Sequence, residues 1–262
     1  MVAVLADSIS LTVTPSCLGR AGYPHFVELP ASNIDDLPDM REKTLVIVPV
    51  WNEGGVIEEV LANLVSTFPQ VVVVDDGSTD DSREKALRAG VAVLSHPINL
   101  GQGAAIMTGI EWGLRESHFC CFATFDSDGQ HRVADLTAAV RKFSGGGVDV
   151  VLGSRFLSHE TQVPSAKRIL LKLGLVQTRL ATGLRLTDTH NGLRVFSIRI
   201  AELLRLSNGM SHASDFLHDL GRSGLPYTEI PTVVNYTEYS QRKGQPMINA
   251  VNILFDSIVR PK

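Results

Sequence analysis

Several things are scarce or missing from this chain. It has 3 cysteines among 262 residues, and two of them, Cys120 and Cys121, are neighbours in an apolar run. Adjacent strand residues point to opposite faces, so the pair is no metal pincer. With Cys17 the remaining thiol there is no disulfide framework, which fits a reducing cytosol. No stretch reaches the roughly 18 consecutive apolar residues that span a bilayer. The opening residues Met1-Val2-Ala3-Val4-Leu5-Ala6-Asp7 lack a basic leader and meet an acid early, so no secretory signal is expected. Positive charge is in deficit, with 24 Lys and Arg against 28 Asp and Glu. No overall field draws the chain to nucleic acid. Internal repeats and low-complexity tracts are absent too. These absences leave a cytoplasmic protein, resting at most on the inner face of a membrane.

What is present is ordinary core material: 44% hydrophobic and 20% charged residues, enough for one large α/β domain. Residues 1–43 have weak periodicity and an acidic cluster (Asp35, Asp36, Asp39), and read as an N-terminal extension. Leu45-Val46-Ile47-Val48-Pro49-Val50 is a continuous apolar run of the kind found in strands buried on both faces. Asn52-Glu53-Gly54-Gly55 breaks it, and Val56, Val60, Leu61, Leu64 and Val65 follow at helical spacing. Val71 to Val74 repeats the pattern and ends in Asp75-Asp76-Gly77-Ser78; Thr79-Asp80-Asp81-Ser82 suits the opening of a helix. Val91 to Leu94 forms a third strand. A helix runs from the Asn99-Leu100-Gly101-Gln102-Gly103 loop to about Glu116, and Phe119 to Phe125 forms a fourth strand.

Strand and helix thus alternate, which predicts a mostly parallel sheet flanked by helices. Further on, Asp149 to Ser154 reads as a strand ending at Arg155. A basic helical region (Lys167, Arg168, Lys172, Arg179), a strand at Leu193-Arg194-Val195-Phe196 and a short helix over 201–206 follow. The stripe Met247, Val251, Leu254, Phe255, Ile258 and Val259 predicts a C-terminal amphipathic helix over 246–262. It could pack on the core, form a dimer contact or lie on anionic lipid beside Arg242, Lys243, Arg260 and Lys262.

Open α/β sheets bind ligands beyond the carboxyl ends of their strands, and Glu53, Asp75, Asp76, Asp126 and Asp128 all fall at such ends. In Asp126-Ser127-Asp128 two hard oxygen donors stand close together. That suits Mg2+ or Mn2+, which in turn can hold a diphosphate. Asp-x-Asp-Gly is also plain turn chemistry; its place after a buried strand, among further acids, favours the metal. Gly101-Gln102-Gly103 lacks the third glycine of a dinucleotide fingerprint and no strand directly precedes it, which argues against a nicotinamide cofactor. Its glycines are expected to let the backbone pass close to a nucleotide sugar.

Taken together, Val48-Pro49-Val50-Trp51-Asn52-Glu53, Val74 to Asp80, Asn99 to Gly103, Phe125-Asp126-Ser127-Asp128-Gly129-Gln130-His131, Gly153-Ser154-Arg155 and Asp188 to Phe196 resemble family 2 glycosyltransferases of the GT-A fold. The nearest branch is the dolichyl-phosphate mannose synthase-like one. The resemblance covers roughly residues 45 to 245, and we take 44–245 as the catalytic domain. It implies that Pro49, Trp51 and Glu53 line a base and ribose pocket, with Trp51 where the family usually has Tyr. Asp75 or Asp76 reads the base or ribose. Asp126 stands near ribose and metal, with Asp128 and Gln130 as direct ligands. Arg155 is the expected phosphate clamp, because guanidinium matches phosphate oxygens bidentately; Arg194 and Lys243 are weaker candidates. Asp215 matches an acid that opens a helix beneath the acceptor, where it would be either a base or a purely structural residue. His131 and His212 are expected to be structural. The family further implies inverting transfer of a hexose from a UDP- or GDP-sugar to a polyprenyl phosphate, glycan or small-molecule acceptor. A sugar-phosphate nucleotidyltransferase would want a glycine-rich basic loop where Trp51-Asn52-Glu53 stands; a non-catalytic nucleotide-sugar-binding protein would not need intact Asp126, Asp128 and Gln130. Oligomeric state is not legible.

Overall fold

β1 (Thr44–Val50) is buried along its whole length, as its unbroken apolar sequence requires of a strand covered on both faces. β2 (Val71–Asp75) is equally buried and pairs with it in parallel, from Val46 opposite Val71 to Val50 opposite Asp75. The computed structural model describes residues 37–116, 118–158, 165–207 and 212–235, without side chains at 37–38 and 165–173. Lys243 and the expected helix over 246–262 lie outside the described residues.

Alternation holds through the first half. After β1 come α2 (Ile57–Val65), β2, α3 (Ser82–Arg88), β3 (Ala92–Ser95), α4 (Gln102–Arg115), β4 (Cys121–Thr124), α5 (Val133–Ser144) and β5 (Val150–Ser154). Then follow α6 (Ser165–Thr182), β6 (Arg194–Ser197), α7 (Ile198–Leu203), α8 (His212–Ser223) and β7 (Tyr227–Pro231). The strands form one 7-stranded sheet ordered β3-β2-β1-β4-β6-β5-β7. β6 runs antiparallel to both β4 and β5; the other pairings are parallel. The expected mostly parallel sheet is therefore present.

Two apolar layers cover it. Val46, Val48 and Val50 face a layer that includes Ile57, Leu61 and Leu64 of α2 and Leu136, Val140 and Phe143 of α5. Leu45 and Ile47 face the other, with Ile106 and Ile110 of α4 and Phe216 and Leu220 of α8. This division is the period-2 alternation of a strand read into space. The end of the N-terminal extension belongs to the first layer: α1 (Leu37–Glu42) precedes β1, and its Met40 is buried.

Several boundaries differ from expectation by a few residues, two of them with consequences. β4 stops at Thr124, so Asp126 and Asp128 sit in the turn beyond the strand rather than on its last residues. α7 begins at Ile198, not 201, because Ser197 closes β6 and its side chain accepts from the Ile200 N–H as a helix cap. No helix among the described residues is long and apolar enough to cross a membrane.

Candidate active site

In the order β3-β2-β1-β4 the chain winds outward one way from β1 and then the other, so the crevice between β1 and β4 is the topological switch point. The loops leaving β1 and β2 are tied together there. Asn52 adopts a left-handed conformation at φ 55°. Its N–H donates to Ser78 Oγ at 2.9 Å, and its Oδ1 accepts from the Thr79 N–H at 2.8 Å. Trp51, just before it, is 50% exposed on the rim.

The two acids after β2 divide their work. Asp76 accepts at Oδ1 from His96 Nδ1 (2.7 Å) and the Leu100 N–H (2.9 Å), and at Oδ2 from the Gly101 N–H (2.7 Å). Both its oxygens thus organise the loop into α4. Asp75 uses Oδ1 to accept from the Ser78 N–H at 3.2 Å.

The turn after β4 is fixed from several directions. Ser127 Oγ donates to the Pro49 carbonyl at 2.8 Å, and Thr124 Oγ1 donates to the Gly192 carbonyl at 2.6 Å. Asp126 accepts at Oδ1 from Gln102 Nε2 and at Oδ2 from His131 Nε2, each at 3.0 Å. Gly192 lies so close that a Cβ there would stand 2.0 Å from Asp126 Oδ2. Asp128 has a looser hold, accepting from the Gln130 N–H at 3.0 Å. Gln130 in turn accepts at its carbonyl from Asn235 N–H. A cavity of about 470 Å3 reaches this turn, lined by Val60, Asn63, Phe125, Asp128 and Arg132 among others.

The electrostatics follow from that packing. Burial alone would raise the Asp126 carboxyl, but the His131 hydrogen bond and the charges of His131, His212 and Arg194 hold it below the ordinary carboxylate range. Asp128 goes the other way: burial first, then the Asp126 charge, push it up to about 6. Burial would depress His131, yet Asp126 and Asp128 keep it raised. Among the described residues no group of three or more His, Cys, Asp and Glu is arranged to hold an ion. Two neighbouring carboxylates, one carrying an unfavourable charge, still suit Mg2+ or Mn2+, which commonly use one or two carboxylates and complete their shell with phosphate oxygens and water.

Other expected residues sit differently. Pro49 is buried inside β1 and reaches the site through its carbonyl, so it anchors the turn rather than lining a pocket. Gly103 is close to the protein's own chain instead of an open cleft: a Cβ would stand 2.0 Å from the Ser207 carbonyl. Arg155 is 7% exposed, with Nε on Asp188 Oδ2 at 2.6 Å and Nη2 on the His190 carbonyl at 2.7 Å. These bonds commit two of its N–H groups to the 188–190 loop. Arg194 is buried over the Phe216 ring at 4.5 Å; burial lowers it to about 10, so it stays a cation at neutral pH. Asp215 lies in the first turn of α8, and its Oδ2 accepts from the Ser207 N–H and hydroxyl.

Sequence reasoning missed Gln102 and Gly192 as neighbours of Asp126 and gave His131 no link to it. The clue available was that both stretches carrying Gln102 and Gly192, Asn99–Gly103 and Asp188–Phe196, belong to the segments that resemble the family.

Residues 45–204 match the family described as Glycosyl transferase family 2. The chain belongs to that family. Its relatives include the polyprenol monophosphomannose synthase of Mycolicibacterium smegmatis, 28% identical over 75% of this chain and 78% of that protein. They also include the UDP-N-acetylglucosamine–dolichyl-phosphate N-acetylglucosaminyltransferase of Methanococcus voltae, 28% identical over 82% of this chain and 95% of that protein. The expected dolichyl-phosphate mannose synthase-like branch is therefore borne out. A solved glucosyl-3-phosphoglycerate synthase from Mycobacterium tuberculosis, in complex with Mn2+, UDP-glucose and phosphoglyceric acid, superposes with a TM-score of 0.64 at 18% identity. It covers 89% of this chain and 86% of its own, a likeness of fold that matches the expected GT-A architecture.

Proposed function

We propose that this family 2 glycosyltransferase is a metal-dependent, inverting enzyme that moves a hexose from a UDP- or GDP-sugar to a polyprenyl phosphate. The observation that carries this reading is the carboxylate pair Asp126 and Asp128 at the β1/β4 crevice, with Asp128 pushed up to about 6 by burial and by its neighbour's charge. Such a pair would repel a bare diphosphate. Mg2+ or Mn2+ held by Asp126, Asp128 and Gln130 would act as a Lewis acid on the departing diphosphate. The solved fold neighbour that carries Mn2+ with UDP-glucose supports that assignment.

The chain's own groups supply the rest. Trp51 offers a half-exposed ring for the base, with Glu53 beside it. Asp76 already accepts three hydrogen bonds from residues 96–101, which favours Asp75 as the reader of base or ribose. Arg194 holds positive charge near Asp126 and is favoured over Arg155 as the cation facing the phosphates; Lys243 is a further candidate.

Asp215 bears on the acceptor class. A sugar hydroxyl must lose its proton as the bond forms and needs a base, but Asp215 Oδ2 is already engaged by Ser207. A polyprenyl phosphate oxygen is anionic beforehand and needs none. The relatives named for polyprenol and dolichyl phosphate point the same way. Such an acceptor is met at a membrane surface, which makes the protein a peripheral visitor there.

The test is transfer of label from UDP-glucose, UDP-N-acetylglucosamine or GDP-mannose into a solvent-extractable polyprenyl phosphate, with Mn2+ or with EDTA. EDTA-sensitive lipid labelling by one donor is expected. Lipid labelling that persists in EDTA would refute the metal role. If no donor is consumed and no nucleotide stabilises the fold, the enzyme reading fails as a whole.

A further inference from the structure

Asp126 and Asp128 differ in how firmly they are held. Each oxygen of Asp126 already has a donor from a different element: Gln102 Nε2, at the start of α4, on Oδ1 and His131 Nε2, ahead of α5, on Oδ2. The Gly192 backbone, leading into β6, closes on the same carboxylate. Asp128 is held through the Gln130 N–H of its own turn.

His131 is the unusual member. Its side chain is 4% exposed and its ring leans on Phe125, centroids 5.8 Å apart. Its Nδ1 is buried with no hydrogen-bond partner, so the bond to Asp126 Oδ2 is the hydrogen bond this ring makes among the described residues. An ionised carboxylate only accepts, so Nε2 must carry the hydrogen. A histidine kept for packing would be served by a phenylalanine on Phe125. What the imidazole adds over a phenyl ring is a rigid N–H aimed at one oxygen.

We propose that His131 and Gln102 form a two-sided clamp that fixes the Asp126 carboxylate in the orientation a cation-bound diphosphate needs, with His131 the principal positioning residue. This rests on the reading of the carboxylate pair given above. Asp126 is then the rigid member of the pair and Asp128 the adjustable one. Outer partners of this kind orient ligating side chains, and their loss commonly weakens metal binding roughly 10- to 100-fold.

The experiment titrates Mn2+ into the full-length protein with saturating UDP or GDP, following free Mn2+ by electron paramagnetic resonance, and records the thermal midpoint without metal. His131→Phe should still fold, with a midpoint lowered by the lost hydrogen bond, and should weaken Mn2+ binding roughly 10- to 100-fold. His131→Gln, whose amide can place a donor near the Nε2 position, should recover most of that loss. Gln102→Leu should weaken binding by a smaller factor. The double change should cost less than the product of the two, because both act on one carboxylate. Unchanged Mn2+ affinity in His131→Phe overturns the clamp, as does a His131→Gln variant as weak as His131→Phe. If His131→Phe does not fold, Gln102→Leu decides, and unchanged affinity there overturns it. An unaltered protein that takes up no Mn2+ with either nucleotide sinks the site reading itself, a separate outcome from a clamp that fails in a protein that binds.

Discussion

Burial and the Asp126 charge hold the Asp128 carboxyl at about 6, against an ordinary 3.8. An acid raised in the folded state binds its proton more tightly there than in the unfolded chain. Its contribution to stability is therefore present near pH 4 and lost as pH rises through about 6. At neutral pH the charged Asp128 costs the metal-free protein on the order of 1–3 kcal/mol, at about 1.4 kcal/mol per pKa unit. Asp128→Asn should therefore raise the midpoint of thermal unfolding in EDTA at pH 8, with the gain fading towards pH 4.5, while removing stabilisation by Mn2+ with nucleotide. Unfolding curves at the two pH values check both halves; a variant less stable than its parent at pH 8 would contradict the assignment. At this scale the sequence was informative where chemistry is local. Asp126, Asp128 and Asp75 were singled out by their place at strand ends, and Trp51 by the family resemblance. Gln102 and Gly192 reach Asp126 from residues 24 and 66 positions away, and nothing in a linear pattern states which loops will meet. The pairing of Arg155 with Asp188 was not legible, because a basic residue at a strand end looks the same in sequence whether or not an acid 33 positions on will meet it.

α4 lies tightly on the sheet because the two positions that face Ile47 and Leu45 carry no side chain. A Cβ at Gly109 would stand 2.5 Å from Ile47 Cγ2, and one at Gly113 would stand 2.4 Å from Leu45 Cδ2. Propensity alone favours alanine over glycine in a helix interior by about 1 kcal/mol. Overpacking a close-packed core typically costs about 1–3 kcal/mol. The contact here is with buried strand side chains that have little room to move, so packing should win. Gly109→Ala is expected to lower the urea midpoint, and because α4 carries Gln102 it should also weaken Mn2+ binding; a variant of equal or greater stability would show that α4 can lift off freely. The loop ahead of α4 gives a second element-scale expectation. Asp76→Ala removes the acceptor of the part-buried Leu100 and Gly101 N–H groups; a fully buried donor left unpaired costs about 1–3 kcal/mol, and these two, partly reached by water, should together cost about as much. Chemical denaturation should find a loss in that range. The buried strands were legible because β1 and β2 read as unbroken apolar runs; α5 went unread, although Leu136, Val140 and Phe143 stand at helical spacing. β7 was not legible, because it lies at the sheet edge with Ile230 its one buried residue. Nor was the insertion of β6 between β4 and β5, since that pairing joins segments far apart in the chain.

At the scale of the whole molecule, donor and cation each lack something the other brings. The protein supplies two carboxylates and no larger cluster among the described residues, too few donors to dehydrate Mg2+ or Mn2+ alone. The same carboxylates repel a diphosphate that arrives without a cation. Each ligand alone should therefore move the unfolding midpoint little, and the two together by more than the sum. At a ligand concentration about 100 times its dissociation constant the stabilisation is about 2.7 kcal/mol, and a chain of this size shifts about 2–4 °C per kcal/mol. A rise of roughly 5–10 °C is expected for Mn2+ with the preferred nucleoside diphosphate, and a much smaller one for the matching nucleoside, which keeps the base but offers the cation no phosphate oxygens. The coupling should weaken as pH falls through about 6, when Asp128 takes up a proton and one ligand is withdrawn. Differential scanning fluorimetry over a grid of cation, nucleotide and pH measures all of this at once. Shifts that add rather than reinforce one another would mean that the nucleotide binds away from the Asp126–Asp128 turn.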